Sequence, residues 1–357
     1  MNASIELAQP QDDEGVRRLA RSQVMPGRVR LSYCREPEFS IGCAITGSDH
    51  QILIARSEEG EIVGVACRSV RRVFLNGLEQ RIGYLGQLRI DERYRGRWLV
   101  SRGFAMLEQL HRADPLPAYL ASIVDGNREA TGVLVEKPRR RTPSFRETAR
   151  YLTLAIWIGR AKPVAVQGVE IVAGSDDQLD EVARFLRHEG PRRQLSSVWT
   201  ADALRDLQQF GLNPSDIRIA RRQGAIAGVL ALWDQSAFKQ SIVRGYTGWL
   251  RPVAPILPRP GTQLRSAYAA LACVADDDAA VFDGLLRDIY NLAQVRGVRH
   301  LLVGFDSRDP LLGAARRYRH LVYPSRLYLA TFANQPCGGL GREPLDARPT
   351  YVDIATL

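Results

Sequence analysis

Lysine is nearly missing from this 357-residue chain: of 49 basic residues only Lys137, Lys162 and Lys239 are lysines, and the net charge is +10. Such an arginine-for-lysine bias marks GC-rich bacterial coding; a surface for polyanions would need the charge gathered in one place. The densest basic run, Lys137-Pro138-Arg139-Arg140-Arg141, is short and carries no interleaved aromatic. It cannot stack single-stranded bases, so nucleic acid is set aside as a partner. Cys34, Cys43, Cys67, Cys273 and Cys337 make no CxxC pair and are odd in number, which fits reduced, buried thiols rather than a disulfide framework. The five histidines are scattered without an HxxxH spacing, so no metal is expected. Long apolar runs are missing too. The most apolar stretch, residues 151–158, is far below the roughly 20 residues a bilayer span needs. The start, Met1-Asn2-Ala3-Ser4-Ile5-Glu6, lacks a charged-then-apolar leader profile. No membrane partner is expected, and the expected location is cytoplasmic.

The chain does have ordinary core-forming composition, 45% hydrophobic and 25% charged, and length for two domains. Val16 and Leu19 mark an early amphipathic segment. Residues 51–55 and 62–67 read as strands across a Ser57-Glu58-Glu59-Gly60 turn. Asn76-Gly77 suits a type I′ turn, because both residues tolerate positive φ. After a strand over 84–90 the period changes: Leu99, Gly103, Met106 and Leu110 recur at helical spacing beside Val100, Phe104 and Leu107. A strand at 118–124 follows, then Asp125-Gly126-Asn127 caps a short helix, and a last strand spans 150–158. Beyond Pro163 and Gly168 the order repeats: helices near 179–186 and 203–210, a hairpin at Gln223-Gly224, a strand at 265–274, a helix through Val281, Leu285, Ile289 and Leu292, and strands at 300–305 and 326–332. The order of elements therefore reads as two copies of one fold, residues 1–162 and 163–335. Residues 336–357 form a tail able to return to the first half as a strand.

The chemistry concentrates in Asp91-Glu92-Arg93-Tyr94-Arg95-Gly96-Arg97-Trp98, a basic loop between a strand and a helix. Free amides at a helix start, the helix dipole and three arginines together make an anion site, and Gly96 lets the backbone approach. Here the sequence resembles the GNAT superfamily of acyl-CoA-dependent N-acyltransferases. The stretch that carries the likeness is Leu88-Arg89-Ile90-Asp91-Glu92-Arg93-Tyr94-Arg95-Gly96-Arg97, followed by the helix from Leu99; Arg93 to Gly96 match the (Arg/Gln)-x-x-Gly-x-(Gly/Ala) loop, and Trp98 stands where the family has Gly or Ala. Asn127, after its strand, sits where the family often has an asparagine near the pantetheine arm. The resemblance implies an α/β fold of two GNAT-like domains, each a mixed, mostly antiparallel sheet flanked by helices. It implies acetyl-CoA as cosubstrate, held by Leu88, Arg89, Ile90, Arg93, Arg95, Gly96, Arg97, Trp98, Leu99, Val100 and Asn127. In the second half the corresponding loop, Val274-Ala275-Asp276-Asp277-Asp278-Ala279, is acidic and would repel a pyrophosphate, so that half is expected to bind no CoA.

Aminolysis of a thioester needs a neutral amine. An alkylamine of pKa about 10.4 needs roughly 4.6 kcal/mol for deprotonation at pH 7, whereas a departing thiol of pKa about 8.5 leaves about 2 kcal/mol. Many family members carry a strand glutamate for the first task and a helix tyrosine for the second. Ile82-Gly83-Tyr84-Leu85-Gly86-Gln87 has no glutamate, which leaves Tyr84 to order a water, and residues 131–136 have no tyrosine. Some two-copy members use a C-terminal carboxylate as base, which would fall here on Leu357. The expected activity is acetyl transfer from acetyl-CoA to a primary amine of a small molecule or peptide by a monomer or homodimer; the alternative is a catalytically decayed acyl-CoA-binding regulatory module.

Overall fold

The computed structural model describes residues 3–25, 27, 29–47, 49–95, 97–136, 142–248, 251–252, 255, 257–332 and 345–357, apart from the Arg97 side chain. The first half runs β1 (Ala3–Leu7), α1 (Asp13–Ser22), β2 (Val29–Cys34), α2 (Phe39–Ala44), β3 (Asp49–Ser57), β4 (Ile62–Leu75), β5 (Leu78–Ile90), α3 (Arg97–Ala113), β6 (Tyr119–Val124), α4 (Arg128–Thr131) and β7 (Ser144–Trp157). The second runs β8 (Glu170–Ala173), α5 (Leu179–Glu189), α6 (Ala201–Asp206), β9 (Ile217–Arg222), β10 (Ala225–Trp233), β11 (Gln240–Tyr246), β12 (Ser266–Val274), α7 (Ala279–Val295), β13 (His300–Asp306), α8 (Leu312–Ala315) and β14 (His320–Thr331).

Twelve of these strands form one sheet in the order β1-β3-β4-β5-β6-β14-β7-β13-β12-β10-β9-β8, antiparallel except at β5–β6 and β12–β13. The mixed, mostly antiparallel sheet flanked by helices is the fold class expected from the sequence. The last strands of the two halves cross over, so that β14 lies between β6 and β7, and β7 lies beside β13. A second, two-stranded sheet ties the halves again, pairing β2 with β11. Among the described residues no helix is long and apolar enough to cross a membrane.

Local chemistry sets the hairpins. Asn76 and Gly77 take φ of 50° and 82°, and Gln223 and Gly224 take 52° and 84°, the paired left-handed residues that match the twist of two antiparallel strands. Strand alternation then divides the core. On β10, Leu230 and Leu232 face the layer containing α7, whereas Val229, Ala231 and Trp233 face α5 and α6. On β3, Ile54 faces Val16 and Leu19 of α1, while Ala55 faces Leu99 of α3.

Both halves contain the same irregularity. β5 bulges at Gln87 (φ 58°), where the pairing with β4 slips, and β12 bulges at Leu271 (φ 56°), where the pairing with β10 slips. Positive φ at a residue with a Cβ is uncommon and costs energy. Next to each bulge the parallel neighbour lets go: β5 pairs with β6 only through Gly83–Leu85, and β12 with β13 only through Ser266–Tyr268. Each half therefore has a wedge where two parallel strands part beside a bulge.

The returning tail differs from the strand expected. Thr350 makes one parallel bridge to Gln194, and Ile354–Thr356 then turns as a 3-10 helix. Tyr351, Val352, Asp353, Ala355 and Thr356 are all buried. Tyr151 of the first half and Gln194, Gln235 and Asp306 of the second bond its backbone, by side chains as well as main chain, so no ladder is needed there.

Candidate acyl-donor wedge and acceptor centre

In the second half the wedge is filled by the chain itself. The amide of Leu271 donates to Asp353 Oδ2 at 2.7 Å, and the amide of Ala272 donates to the Tyr351 hydroxyl at 2.9 Å. The bulge thus presents two neighbouring amides to acceptor oxygens. In the first half, among the described residues, no side chain takes the equivalent amides of Gln87 and Leu88. That difference separates two wedges of otherwise matching build.

The acidic loop of the second half is neutralised internally. Asp277 pairs with Arg192 at 2.9 Å and Arg193 at 2.6 Å, and Arg193 also reaches Asp309 at 2.8 Å. Asp278 caps α7 through the amides of Ala280 and Val281. These carboxylates leave no anion site at that helix start.

The basic loop of the first half lies where the β5–β6 wedge opens onto the N-terminus of α3. Arg93 is exposed and paired with Asp91 at 3.0 Å and Glu61 at 3.2 Å; its amide is taken by Asp91 Oδ1 at 2.9 Å. Arg95 reaches Glu129 at 3.1 Å. Exposed pairs of this kind are worth about 0–1 kcal/mol, so they restrain the arginines without committing them. Gly96 lies outside the described residues, as does the Arg97 side chain. Trp98 is exposed, with the Arg102 guanidinium 5.8 Å from its ring centre. Leu99 is buried against Ala55 and Val63, and Val100 packs against the cluster of Phe104 and Leu107. Leu88 is exposed and Ile90 half-buried. Burial, with Arg35 adding to it, lowers Arg89 to about 10. Asn127 is the N-cap of α4, its side-chain oxygen accepting from the Ala130 amide at 3.1 Å.

The two residues singled out for catalysis, Tyr84 and Leu357, belong to one apolar cluster. Tyr84 is buried beside the bulge, its ring running over Gly86 and carrying the Arg71 guanidinium 5.0 Å from its centre. Burial raises its phenol, opposed by Arg71. Leu357 packs against the cluster that contains Tyr84, and its main-chain oxygen accepts from Lys239 Nζ at 3.2 Å. Lys239 also reaches the Ala355 carbonyl at 3.4 Å and lies 4.7 Å from the centre of the Tyr268 ring. Burial, and then Arg35, push its ammonium well below the ordinary lysine value. Arg35 is 4% exposed and donates to the Cys34 carbonyl at 3.1 Å and to Gln87 at 3.4 Å.

Sequence reasoning missed Arg35, Arg71, Lys239, Tyr268 and Asp353. They come from five separate elements, and no spacing links them. The one available signal was the rarity of lysine, since a buried member of a set of three stands out.

No family model and no curated protein matches this chain. Solved structures share the fold. A GCN5-related N-acetyltransferase from Sphaerobacter thermophilus superposes with a TM-score of 0.56 at 14% identity, covering 92% of this chain and 95% of that one. N-myristoyltransferase of Saccharomyces cerevisiae, with bound myristoyl-CoA, gives 0.64 at 11% identity, covering 94% and 81%. A GCN5-related glucosamine N-acetyltransferase region in a fungal multi-domain GH3 β-N-acetylglucosaminidase gives 0.61 at 15% identity; 92% of this chain is covered, and it spans 38% of the fungal chain. The fold is of the GCN5-related N-acetyltransferase type.

Proposed function

We propose that the chain is an acyl-CoA-dependent N-acyltransferase that moves an acetyl group from acetyl-CoA to a primary amine, with the donor in the first-half wedge. The observation that carries this reading is the contrast between the wedges. The bulge amides of β12 are occupied by Asp353 and Tyr351, whereas among the described residues no side chain takes those of β5, which a substrate oxygen would then engage. A thioester carbonyl accepting there would have its developing negative charge held by fixed amide dipoles, the arrangement that stabilises acyl-transfer transition states most. The diphosphate would lie on the amides opening α3, with Arg93, Arg95 and Arg97 as charge-assisted donors. Leu88, Arg89, Ile90, Trp98, Leu99, Val100 and Asn127 would line the donor's path.

Among the described residues no aspartate or glutamate acts on Tyr84 to take the amine proton, and the charge of the centre offers another means. A cation about 6 Å away, at an effective dielectric near 20, disfavours an ammonium by roughly 3 kcal/mol. Two such cations cover the ~4.6 kcal/mol that deprotonation requires at pH 7. Lys239 gauges the effect, being itself a primary alkylamine pushed down by burial and by Arg35. The amine would thus arrive neutral, with Tyr84 orienting it or a water beside it. The C-terminal carboxylate of Leu357 would be a further acceptor for its proton. A catalytically silent acyl-CoA-binding module is the second reading, favoured by the same missing carboxylate. Thiol release from acetyl-CoA across a panel of amines separates the two: amine-dependent release supports transfer, and tight binding without release supports the silent module.

A further inference from the structure

We infer that the acceptor amine carries a carboxylate, gripped between the two halves by the side-on edge of Arg71, with Arg35 supplying charge beside it. This rests on the acyl-transfer reading above. Arg71 leaves β4 opposite Ile82 of β5, and its Nη1 donates to the Thr356 hydroxyl at 3.1 Å. Its Nε and Nη2 are buried without a hydrogen-bond partner. Those two nitrogens form the parallel fork that fits both oxygens of a planar carboxylate. The Tyr84 ring meets the face of the guanidinium and leaves its in-plane donors unserved. Buried donors with nothing to bond are expensive, and native proteins seldom keep them without a use.

The surrounding charge has the same sign. Burial works against the cationic form of Arg71, of Arg35 and of Lys239 alike. Asp353 is the one carboxylate among the described residues that faces both Arg71 and Lys239, and its two oxygens are already engaged by the amides of Leu271 and Ala355. Arg71, whose one facing aspartate among the described residues is already committed, is completed by an anion brought from outside. The arrangement also agrees with the chemistry: the field that attracts the carboxylate repels an ammonium, so an amino acid or a molecule built like one would bind with its amine poised neutral. Substrates lacking the carboxylate would leave the Arg71 fork unpaired, which is the condition under which a site discriminates most strongly.

The test uses the full chain without acyl-CoA, titrated calorimetrically with the proteinogenic amino acids and with their primary amides, with phosphoethanolamine as a phosphate arm. At least one amino acid is expected to bind tenfold or more tighter than its amide. Arg71→Lys, which keeps the charge and removes the fork, should erase at least tenfold of that preference; Arg35→Gln, which removes the charge beside the fork, should also lower it if the first variant melts early. Equal binding of acids and amides, or binding by neither series, overturns the inference and leaves Arg71 serving only the chain's own 350–357 segment. A preference for phosphoethanolamine overturns the carboxylate assignment. Thiol release with the same panel keeps the two readings apart. Selective binding without acetyl transfer upholds this site and sinks the acyltransferase; transfer to acids and amides alike does the reverse.

Discussion

At Lys239 the neutral amine is favoured by burial and by the Arg35 charge, and stability should register it. The folded value lies below the ordinary 10.5. Between the two values the unfolded chain holds a proton that the folded chain does not, so stability rises with pH across that window and levels off above it. Urea unfolding from pH 7 to 10 should show this rise, and Lys239→Met should flatten it. An unchanged slope in the variant would mean that Lys239 stays charged in the folded protein. Arg95 tests the other end of the wedge. Its pairs are exposed, so Arg95→Ala should leave the melting temperature nearly unchanged. Loss of one charge-assisted donor, worth about 1.5–3 kcal/mol, should weaken acetyl-CoA binding roughly ten- to hundredfold. Unaltered affinity would move the diphosphate elsewhere.

The elements that could be read in advance are those whose causes are local. Asn76-Gly77 announces the β4–β5 hairpin because two consecutive residues must take positive φ, and the stripe from Leu99 to Leu110 announces α3 because one face must be apolar. The bulge at Gln87 carries no such mark: neither Gln87 nor Leu271 is a glycine or an asparagine, and both are held left-handed by the parting of neighbouring strands. The crossover of β7 and β14 was equally hidden, since strand alternation says which face is buried and not which partner lies alongside. The short strands β1, β2 and β11 draw their stability from such partners. So does the acceptor centre, whose members come from positions 35, 71, 239, 268 and 353. Gly83 is a sensitive point at this scale, because it stands where β5 and β6 still pair and a Cβ there would collide with the Tyr119 ring. Gly83→Ala should cost upward of 3 kcal/mol, more than ordinary overpacking, as the ring is buried on every side. Chemical denaturation checks this, and a loss below 1 kcal/mol would mean that the strands part more easily than described.

For the whole molecule the crossed strands and the buried 350–357 segment make two similar halves one cooperative body. Unfolding should show a single transition by fluorescence and by circular dichroism; two separated transitions would refute the coupling. Deleting residues 355–357 removes buried Ala355 and Thr356 together with both oxygen partners of Lys239. It should lower the melting temperature by several degrees, and it should slow acetyl transfer if the Leu357 oxygen takes the amine proton. Full transfer by the truncated chain would dismiss that role. The central claim is that one wedge receives the acyl donor while the other is closed by the chain itself. Isothermal titration of the full chain with acetyl-CoA tests it most directly. The expected result is one site per chain, weakened tenfold or more by Arg95→Ala and untouched by Asp353→Asn; a stoichiometry of two, or no binding at all, would contradict it.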